Sequence, residues 1–275
     1  PVMTPQAVGY GMGKKDFAMA NCVRALLGET QEQAQTFDDG TDPEALYQPE
    51  EDGAKVTVST VKEIAGETDE ITVGMDVSQF QGTIDWKKVA DDGVSYAFIR
   101  TGVRGSTEGR MMADERFKEN IEGALDNDIQ VGAYFFTQAI TEEEAVEEAE
   151  FVLDMLEPYD VTYPVVYDLE EVTSKNARTE DLTKEQYTKN CIAFCETIKK
   201  AGYTPMIYGN LKTFLIMLDM SQLEEYHKWF AYYNTPVYFP YEFDVWQYSS
   251  KGSISGIKGD VDLNVCMTDF GDGQE

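Results

Sequence analysis

The stretch Pro164-Val165-Val166-Tyr167-Asp168-Leu169-Glu170 joins an apolar run to two carboxylates. A short run that is apolar at every position is typical of a strand that is buried on both faces of a parallel sheet. Asp168 and Glu170 stand two residues apart, so both side chains lie on the same face of this strand. Because buried carboxylates cost free energy, we expect these two to have partners or a chemical task.

Similar short runs recur from Ile71 onward and alternate with helical patterns. The predicted strands are Ile71–Asp76, Ser95–Thr101, Ile129–Phe136, Tyr163–Glu170, Thr204–Gly209, Lys228–Tyr232, Phe243–Tyr248 and Gly259–Leu263. Three amphipathic helices are predicted between the early strands from the faces Phe117-Ile121-Ala124-Leu125, Ala145-Ala149-Val152-Leu156 and Tyr187-Cys191-Phe194-Cys195-Ile198. This alternation predicts an α/β fold with a parallel TIM-like barrel. The barrel is expected to be irregular in its last third, where the runs follow too closely for helices.

A doubly wound sheet is the rival architecture. Such a sheet carries a glycine-rich phosphate turn after its first strand. The first predicted strand here continues as Asp76-Val77-Ser78-Gln79-Phe80, which contains no glycine. The barrel is therefore the favoured prediction.

The charge excludes some classes of partner. The chain has 275 residues, with 51 acidic and 22 basic side chains, and its formal net charge is −29. A polyanion is repelled by phosphate backbones and anionic membranes, so neither nucleic acid nor membrane is an expected partner. No run approaches the roughly 18 apolar residues that a membrane helix needs. The start, Pro1–Pro5, has no charged region followed by an apolar stretch, so no signal peptide is expected in this chain.

The first 70 residues differ in composition from the rest. Residues 37–70 are rich in acids and poor in patterned apolar residues, so we predict an extended acidic linker. An acidic interaction tail is the alternative. The predicted organisation is an N-terminal appendage over 1–36, this linker over 37–70, and the barrel over 71–275.

Acidic residues recur at the predicted strand ends. Asp76 ends the first strand, Asp168 and Glu170 end the fourth, and Asp262 lies in the last. Because function in a parallel barrel collects at the C-terminal ends of strands, these four carboxyls are expected at one mouth. Clustered carboxyls suit either a hard cation or cleavage of a glycosidic bond, with one carboxyl kept protonated by its like-charged neighbours.

Aromatic residues near the same strand ends favour the glycosidic reaction, because flat rings with hydrogen-bonding tips suit sugars. The candidates for substrate binding among them are Tyr134, Tyr208, Tyr232 and Trp246. A thiolate or imidazole metal site is not expected, since the chain has a single histidine and no CxxC motif. The four cysteines are predicted to be small buried residues.

Several motifs together carry a resemblance to a known family. They are Gly74–Gly82, Ile84-Asp85-Trp86, Phe98-Ile99-Arg100, Gly132–Phe136, Asp168-Leu169-Glu170, Ile207–Asn210, Trp246-Gln247-Tyr248 and Asp262-Leu263-Asn264. Over residues 72–270 the chain resembles glycoside hydrolase family 25 lysozymes. One departure is Arg100, where the family often has lysine; the charge is kept but the donor geometry differs.

The resemblance implies a (β/α)5(β)3 barrel that cleaves the β-1,4 bond between N-acetylmuramic acid and N-acetylglucosamine in bacterial peptidoglycan. It implies that Glu170 is the general acid and that Asp76, Asp168 and Asp262 complete the catalytic set. Arg100 and Gln247 join the substrate-binding candidates. Whether an aspartate or the substrate acetamido group acts as nucleophile is left open. The resemblance implies a secreted or cell-wall-associated monomer that needs no metal or cofactor.

Two other functions stay open at this point. A carbohydrate-binding module that anchors to the cell wall would keep the barrel without turnover, although it would be free to lose Asp168 or Glu170. A glycosidase acting on another acetamido sugar polymer, such as chitin, is the other alternative. Against it, the longer acidic run of chitinases is absent, because residues 163–167 contain no acid.

The N-terminal appendage has a resemblance of its own. The segments Gly9–Phe17 and Asn21–Glu29 are similar to a stretch of the nickel-pincer cofactor synthesis protein family. Only a fragment of that family's chain is present, so we transfer no activity from it.

Overall fold

A computed structural model of the chain describes residues 72–233, 239 and 241–271. The N-terminal appendage, its family resemblance and the acidic linker lie outside these residues. The strands are Thr72–Val77 (β1), Tyr96–Arg104 (β2), Met111–Ala113 (β3), Gln130–Phe136 (β4), Val165–Asp168 (β5), Pro205–Gly209 (β6), His227–Ala231 (β7), Val245–Gly252 (β8) and Val261–Cys266 (β9). The α-helices are Trp86–Asp91 (α1), Phe117–Leu125 (α2), Glu142–Leu156 (α3) and Lys184–Lys200 (α4).

Eight of the strands close into a barrel, as the alternation of runs and helices predicts. The sheet order is β1-β9-β8-β7-β6-β5-β4-β2, and β1 also pairs with β2, which closes the ring. Helices precede the second to fifth strands of the ring, and a π-helical turn at Thr213–Met217 and a 3-10 turn at Met220–Gln222 connect β6 to β7. Each predicted run forms a strand of this ring. The (β/α)5(β)3 expectation is therefore confirmed.

The short strand β3 was not predicted. It pairs antiparallel with the end of β2, where Met112 lies opposite Val103, and it stands outside the ring. Its three residues are too few to show a period of two, so the sequence carries no usable strand signal there.

The direction of β9 differs from the prediction of a wholly parallel barrel. It runs antiparallel to both β8 and β1. The physical reason is the short connection between β8 and β9, since a parallel return would need a crossover of about a dozen residues or more. Asp262 therefore lies near the beginning of its strand rather than its end, directly opposite Asp76 of β1.

The helices bury the predicted faces against the outside of the ring. Thr141 and Thr183 cap α3 and α4 by accepting hydrogen bonds from the backbone of Glu144 and Gln186 at 3.3 and 3.2 Å. One polar residue, Glu148, shares the buried face of α3 with the predicted apolar residues. The three cysteines in the described part of the chain are buried and free, as predicted.

The inside of the ring forms a second, smaller core. It consists of Tyr96, Phe98, Tyr163, Val166, Met206, Trp229, Val245 and Cys266. Gly74 and Gly132 belong to this packing, because a Cβ atom on either would collide with the ring of Tyr96 or Phe98. The filled interior leaves space only above the last layer of side chains, at the end where β1 to β8 finish. No helix in the described ranges is both long and apolar enough to cross a membrane.

Candidate active site

A cavity of about 270 Å³ opens at this end of the barrel. Its lining residues are Asp76, Phe80, Arg100, Tyr134, Phe136, Asp168, Glu170, Tyr208, Trp229, Gln247 and Asp262. All four predicted carboxyls are among them, contributed by β1, β9 and the end of β5. The antiparallel direction of β9 does not prevent this meeting, because the beginning of β9 lies at the same end of the barrel.

A larger cavity, of about 520 Å³, lies outside the ring between α4 and the turn after β6. Its charged lining residues include Glu171 and Lys212, which form an ion pair at 2.6 Å. None of the four clustered carboxyls lines it. The smaller cavity is therefore the candidate active site.

Asp76 lies at the centre of a hydrogen-bond network at the floor of the cavity. Its Oδ2 atom accepts bonds from Gln247 Nε2 at 2.8 Å and from Asn264 Nδ2 at 2.9 Å. Burial raises the pKa of Asp76, while the two amide donors and a hydrogen bond with Asp262 lower it. The two amide donors favour the ionised form of Asp76, so they replace part of the solvation that burial removes.

The two amides that bind Asp76 are themselves held in one orientation. Gln247 Oε1 accepts bonds from the hydroxyls of Tyr208 at 2.9 Å and Tyr233 at 2.7 Å. Trp229 donates its indole N–H to Asn264 Oδ1 at 2.8 Å. Because these donors occupy the amide oxygens, the amide N–H groups are turned toward the carboxylate.

Asp262 stands beside Asp76 and carries a raised pKa. Burial is the main cause, and the negative charge of Asp76 and their shared hydrogen bond add to it. Asp262 therefore holds a proton and donates it to Asp76. This pair places a protonated and an ionised carboxyl side by side at one wall of the cavity.

Asp168 and Glu170 form the second pair. Asp168 is 3% exposed, and its buried Oδ1 atom accepts no hydrogen bond from the residues that the structure describes. Burial raises the pKa of Asp168 well above its usual range, and the charges of Glu170 and Asp76 raise it further, whereas Arg100 lowers it. An unsatisfied carboxyl oxygen in such a place costs stability.

Glu170 differs from Asp168 in that its side chain is exposed at the cavity. Protein atoms surround it on most sides, and this enclosure is the main cause of its raised pKa, followed by the charge of Asp76. The sequence analysis expects like-charged neighbours to keep one carboxyl protonated, and Asp76 acts in this way on Glu170, although burial is the larger cause of the raised pKa. The hydrogen bond of Glu170 with Asp168 lowers the pKa, because Asp168 donates the proton that the pair shares.

Arg100 and Phe80 form the rim on the other side. Arg100 donates from Nε and pairs through Nη2 with Asp114 Oδ2, both at 2.8 Å, and its guanidinium lies 4.9 Å from the centre of the Phe80 ring. Asp114 is buried. Arg100 is thus largely engaged by the protein itself.

The structure places most of the predicted substrate-binding residues at the cavity, but not Tyr232 and Trp246. Both are buried in the outer core, and the Trp246 indole donates to the backbone oxygen of Tyr232 at 2.8 Å. Side chains alternate along a strand, so Gln247 facing inward forces Trp246 outward. Tyr232 and Trp246 are therefore structural residues, and assigning them to substrate was a mistake.

Other residues at the site were given no site role by the sequence analysis. They are Phe80, Asp114, Phe136, Trp229, Tyr233 and Asn264. Asn264 carried a signal, because it lies two residues after Asp262 and hence on the same face of β9. Phe136, Trp229 and Tyr233 are aromatic residues near strand ends, which is the signal that could have found them. Asp114 lies in a loop, and nothing in its local sequence marks it.

This arrangement can transfer protons. None of the four mouth carboxyls is within ion-pair distance of a lysine or arginine among the described residues. Two pairs of carboxyls, each holding a proton, offer both an acid and a base to a bound substrate. The described residues contain no group of His, Cys, Asp and Glu suited to a metal ion.

Comparison with known proteins identifies the family. The model of "Glycosyl hydrolases family 25" matches residues 75–257. Lysozyme M1 of Streptomyces globisporus is 29% identical over 201 residues, which is 70% of this chain and 66% of that protein. The structure of a family 25 glycosyl hydrolase from Bacillus anthracis has a TM-score of 0.58 and 25% identity, covering 74% of this chain and 93% of that one.

A third relative is the modular autolysin LytC of Streptococcus pneumoniae, solved in complex with a synthetic peptidoglycan ligand. It has a TM-score of 0.63 and 27% identity over 73% of this chain. The match spans about half of the LytC chain, 47% of its length. The family match spans most of the barrel and every cavity-lining residue except Asp262, so the chain belongs to the glycosyl hydrolases of family 25.

Proposed function

We propose that this protein is a peptidoglycan hydrolase, a lysozyme that cleaves the β-1,4 bond between N-acetylmuramic acid and N-acetylglucosamine. The observation that carries the proposal is the mouth of the barrel, where four carboxyls meet and only Glu170 is exposed. The names of the relatives, a lysozyme and an autolysin bound to a peptidoglycan ligand, support the choice of substrate. The enzyme acts outside the cell, at the wall.

Glu170 is the general acid in this proposal. It is exposed to a ligand in the cavity, and burial raises the pKa of Glu170 and of its partner Asp168, which favours retention of a proton by the pair. The proton that the pair shares lies on Asp168, which is buried behind Glu170 and donates to it in their hydrogen bond. As the glycosidic bond breaks, Asp168 passes this proton to Glu170 and Glu170 delivers it to the leaving oxygen, so that both carboxyls are then ionised.

Asp76 supplies the negative charge that stabilises the developing oxocarbenium ion. The two amide donors and the protonated Asp262 fix its position and favour its ionised form. This charge serves equally in direct attack on the anomeric carbon and in orienting the acetamido group of the substrate. A glycan whose N-acetyl groups have been removed separates the two routes, since only direct attack by Asp76 survives that change.

The test is digestion of purified peptidoglycan, followed by borohydride reduction and identification of the new reducing ends. The expected product is muramitol, with an unchanged rate in excess EDTA, because carboxylates alone carry out the reaction. Reduced glucosamine ends would assign a different bond. Binding without any new ends would indicate a non-catalytic wall-binding module, and release of sugars from chitin alone would indicate another acetamido polymer as substrate.

A further inference from the structure

Phe80 is an exposed aromatic ring at the rim of the cavity. It is 77% exposed, and Met112, at 47%, is the other large apolar residue that is exposed in the described part of the chain. Phe80 lies on the one-turn 3-10 helix Gln79–Gln81 that follows β1, and it lines the same cavity as the four carboxyls. Contact between an exposed phenyl ring and water is unfavourable, and a ligand that covers the ring removes this contact.

The backbone that carries Phe80 is fixed from several sides. Ser78 caps the turn, accepting from the Phe80 N–H at 3.3 Å, while Gln81 Oε1 accepts from the Ser78 N–H at 2.9 Å. The Gln79 N–H donates to Asp114 Oδ2 at 3.0 Å. The ring is thus presented by a braced turn, which lowers the entropy that a ligand would lose by ordering it.

The side chain is also supported from below. The Arg100 guanidinium lies over one face of the ring, with Cζ at 4.9 Å from the ring centre. Arg100 is held in turn by the buried Asp114. A cation on one face leaves the opposite face of the ring open to a ligand.

We propose that Phe80 is a stacking platform for a pyranose ring of the glycan strand, and that it forms a binding subsite beside the carboxyl cluster. This inference rests on the proposed function, since it assumes a glycan in the cavity. The axial hydrogens of a pyranose carry partial positive charge and suit the negative face of an aromatic ring. A single ring at the edge of an acidic cavity is too small for a protein-docking patch.

The same inference assigns a role to Arg100. Its guanidinium is a positioning group that supports Phe80, rather than a group that binds a charge on the substrate directly. Phe80 has no group that exchanges a proton or a charge with the substrate, so its contact with a sugar ring contributes to binding in the ground state and the transition state alike. Loss of such uniform binding raises KM and leaves kcat unchanged.

The experiment measures kcat and KM on soluble glycan strands whose stem peptides have been removed. Phe80→Ala removes the aromatic contact to one face of the sugar ring, so it is expected to raise KM about tenfold. Its kcat should stay within about twofold of wild type. Phe80→Trp keeps a flat ring and is expected to keep KM within about twofold. Phe80→Leu keeps apolar bulk but has no flat face, so it is expected to resemble Phe80→Ala.

The matched control is Met112→Ala, which removes the other exposed large apolar side chain and lies outside the cavity lining. Its KM should equal that of wild type. A second measurement, calorimetric binding of the same strands to Glu170→Gln and to Glu170→Gln/Phe80→Ala, does not depend on turnover. It should show about tenfold weaker binding in the double variant.

The outcomes separate the platform from the proposed function. If wild type cleaves the strands but Phe80→Ala has an unchanged KM, or Phe80→Leu matches wild type, the stacking platform is overturned. If wild type fails to cleave them, the proposed function fails, and the calorimetric comparison still decides whether Phe80 binds sugar.

Discussion

Two groups of acids with raised pKa values lie in opposite surroundings in this barrel. The first is the set of mouth acids, Asp76, Asp168, Glu170 and Asp262. The second is the Glu148 cluster, in which the buried Glu148 of α3 accepts from Arg104 Nε at 2.7 Å and from the Thr137 hydroxyl at 2.6 Å. Both Glu148 oxygens therefore have a donor, whereas Asp168 Oδ1 has none among the described residues, and neighbouring carboxyls raise the pKa values of Asp168 and Asp262 further.

The Glu148 cluster shows what a structural buried acid requires. Arg104 also donates to the backbone oxygens of Gly109 and Glu144, both at 3.0 Å, so it ties the loop after β2 to helix α3. Burial raises the pKa of Glu148 to about 7, while Thr137 and Arg104 act against this shift. The cluster is compensated locally, as buried ionic groups in stable structures generally are.

Among the mouth acids, Asp76 is compensated in part by Gln247 and Asn264, but Asp168 and Asp262 lack such donors. An uncompensated carboxyl in a buried place lowers stability, and it persists where proton transfer requires a raised pKa. The difference between the two groups therefore separates function from structure: loss of a mouth acid should cost activity, and loss of Glu148 should cost stability.

The largest expected effect is on turnover in Glu170→Gln. This variant removes the exposed member of the acid pair and is expected to lower the hydrolysis rate of peptidoglycan by about 10²–10⁴-fold, the usual contribution of a general acid. Its unfolding midpoint should not fall, because an uncompensated carboxyl has been replaced by a neutral amide. The rate is measured from the release of reducing ends.

Glu171→Gln is the matched control for this variant. Glu171 is the next residue in the chain, but it pairs with Lys212 and does not line the cavity. Its rate should stay within about twofold of wild type. Turnover of Glu170→Gln within tenfold of wild type would refute the assignment of the general acid.

The second effect is on stability in the Glu148 cluster. Glu148→Ala leaves the guanidinium of Arg104 buried without its main partner, so the free energy of unfolding is expected to fall by about 3–5 kcal/mol. Urea denaturation at neutral pH measures the change. The mouth acids are unaltered in this variant.

Glu147 provides the comparison for Glu148. It also pairs with Arg104, at 3.2 Å, but its side chain is 58% exposed. Glu147→Ala is expected to cost at most about 1 kcal/mol, since solvent screens an exposed pair. Equal losses in the two variants would show that burial of the pair is not what stabilises this wall of the barrel.

The strands were predictable because each is a short apolar run bounded by polar residues, and closure into a barrel followed from their number and alternation. The direction of β9 was not predictable, because an alternating run has the same pattern in a parallel and in an antiparallel strand. The buried position of Glu148 was also missed, because its partner Arg104 lies 44 residues away in the chain. Helical periodicity cannot show such a distant partner.

The site was predictable at the carboxyls and less so around them. Asp76, Asp168, Glu170 and Asp262 stand at strand ends, and their type and position are visible in the chain. Trp246 illustrates the failure, since an aromatic residue next to Gln247 looked suited to sugar. Strict alternation along β8 turns it into the outer core instead.

The smallest effect is the pH dependence that Asp168 imposes on stability. Its pKa is raised on folding, so the folded protein keeps this proton at a pH where the unfolded chain, with a pKa near 4, has released it. The free energy of unfolding therefore falls as the pH rises from about 4 toward the folded pKa, and the loss is complete above that value. Asp168→Asn cannot titrate and should escape this fall. Its stability should therefore increase relative to that of wild type as the pH rises from about 4 to 7. Asp154→Asn, at an exposed position of α3, should follow the wild-type curve at every pH. Urea denaturation across this range measures all three proteins, and a difference between Asp168→Asn and wild type that stays constant with pH would contradict an uncompensated acid at position 168.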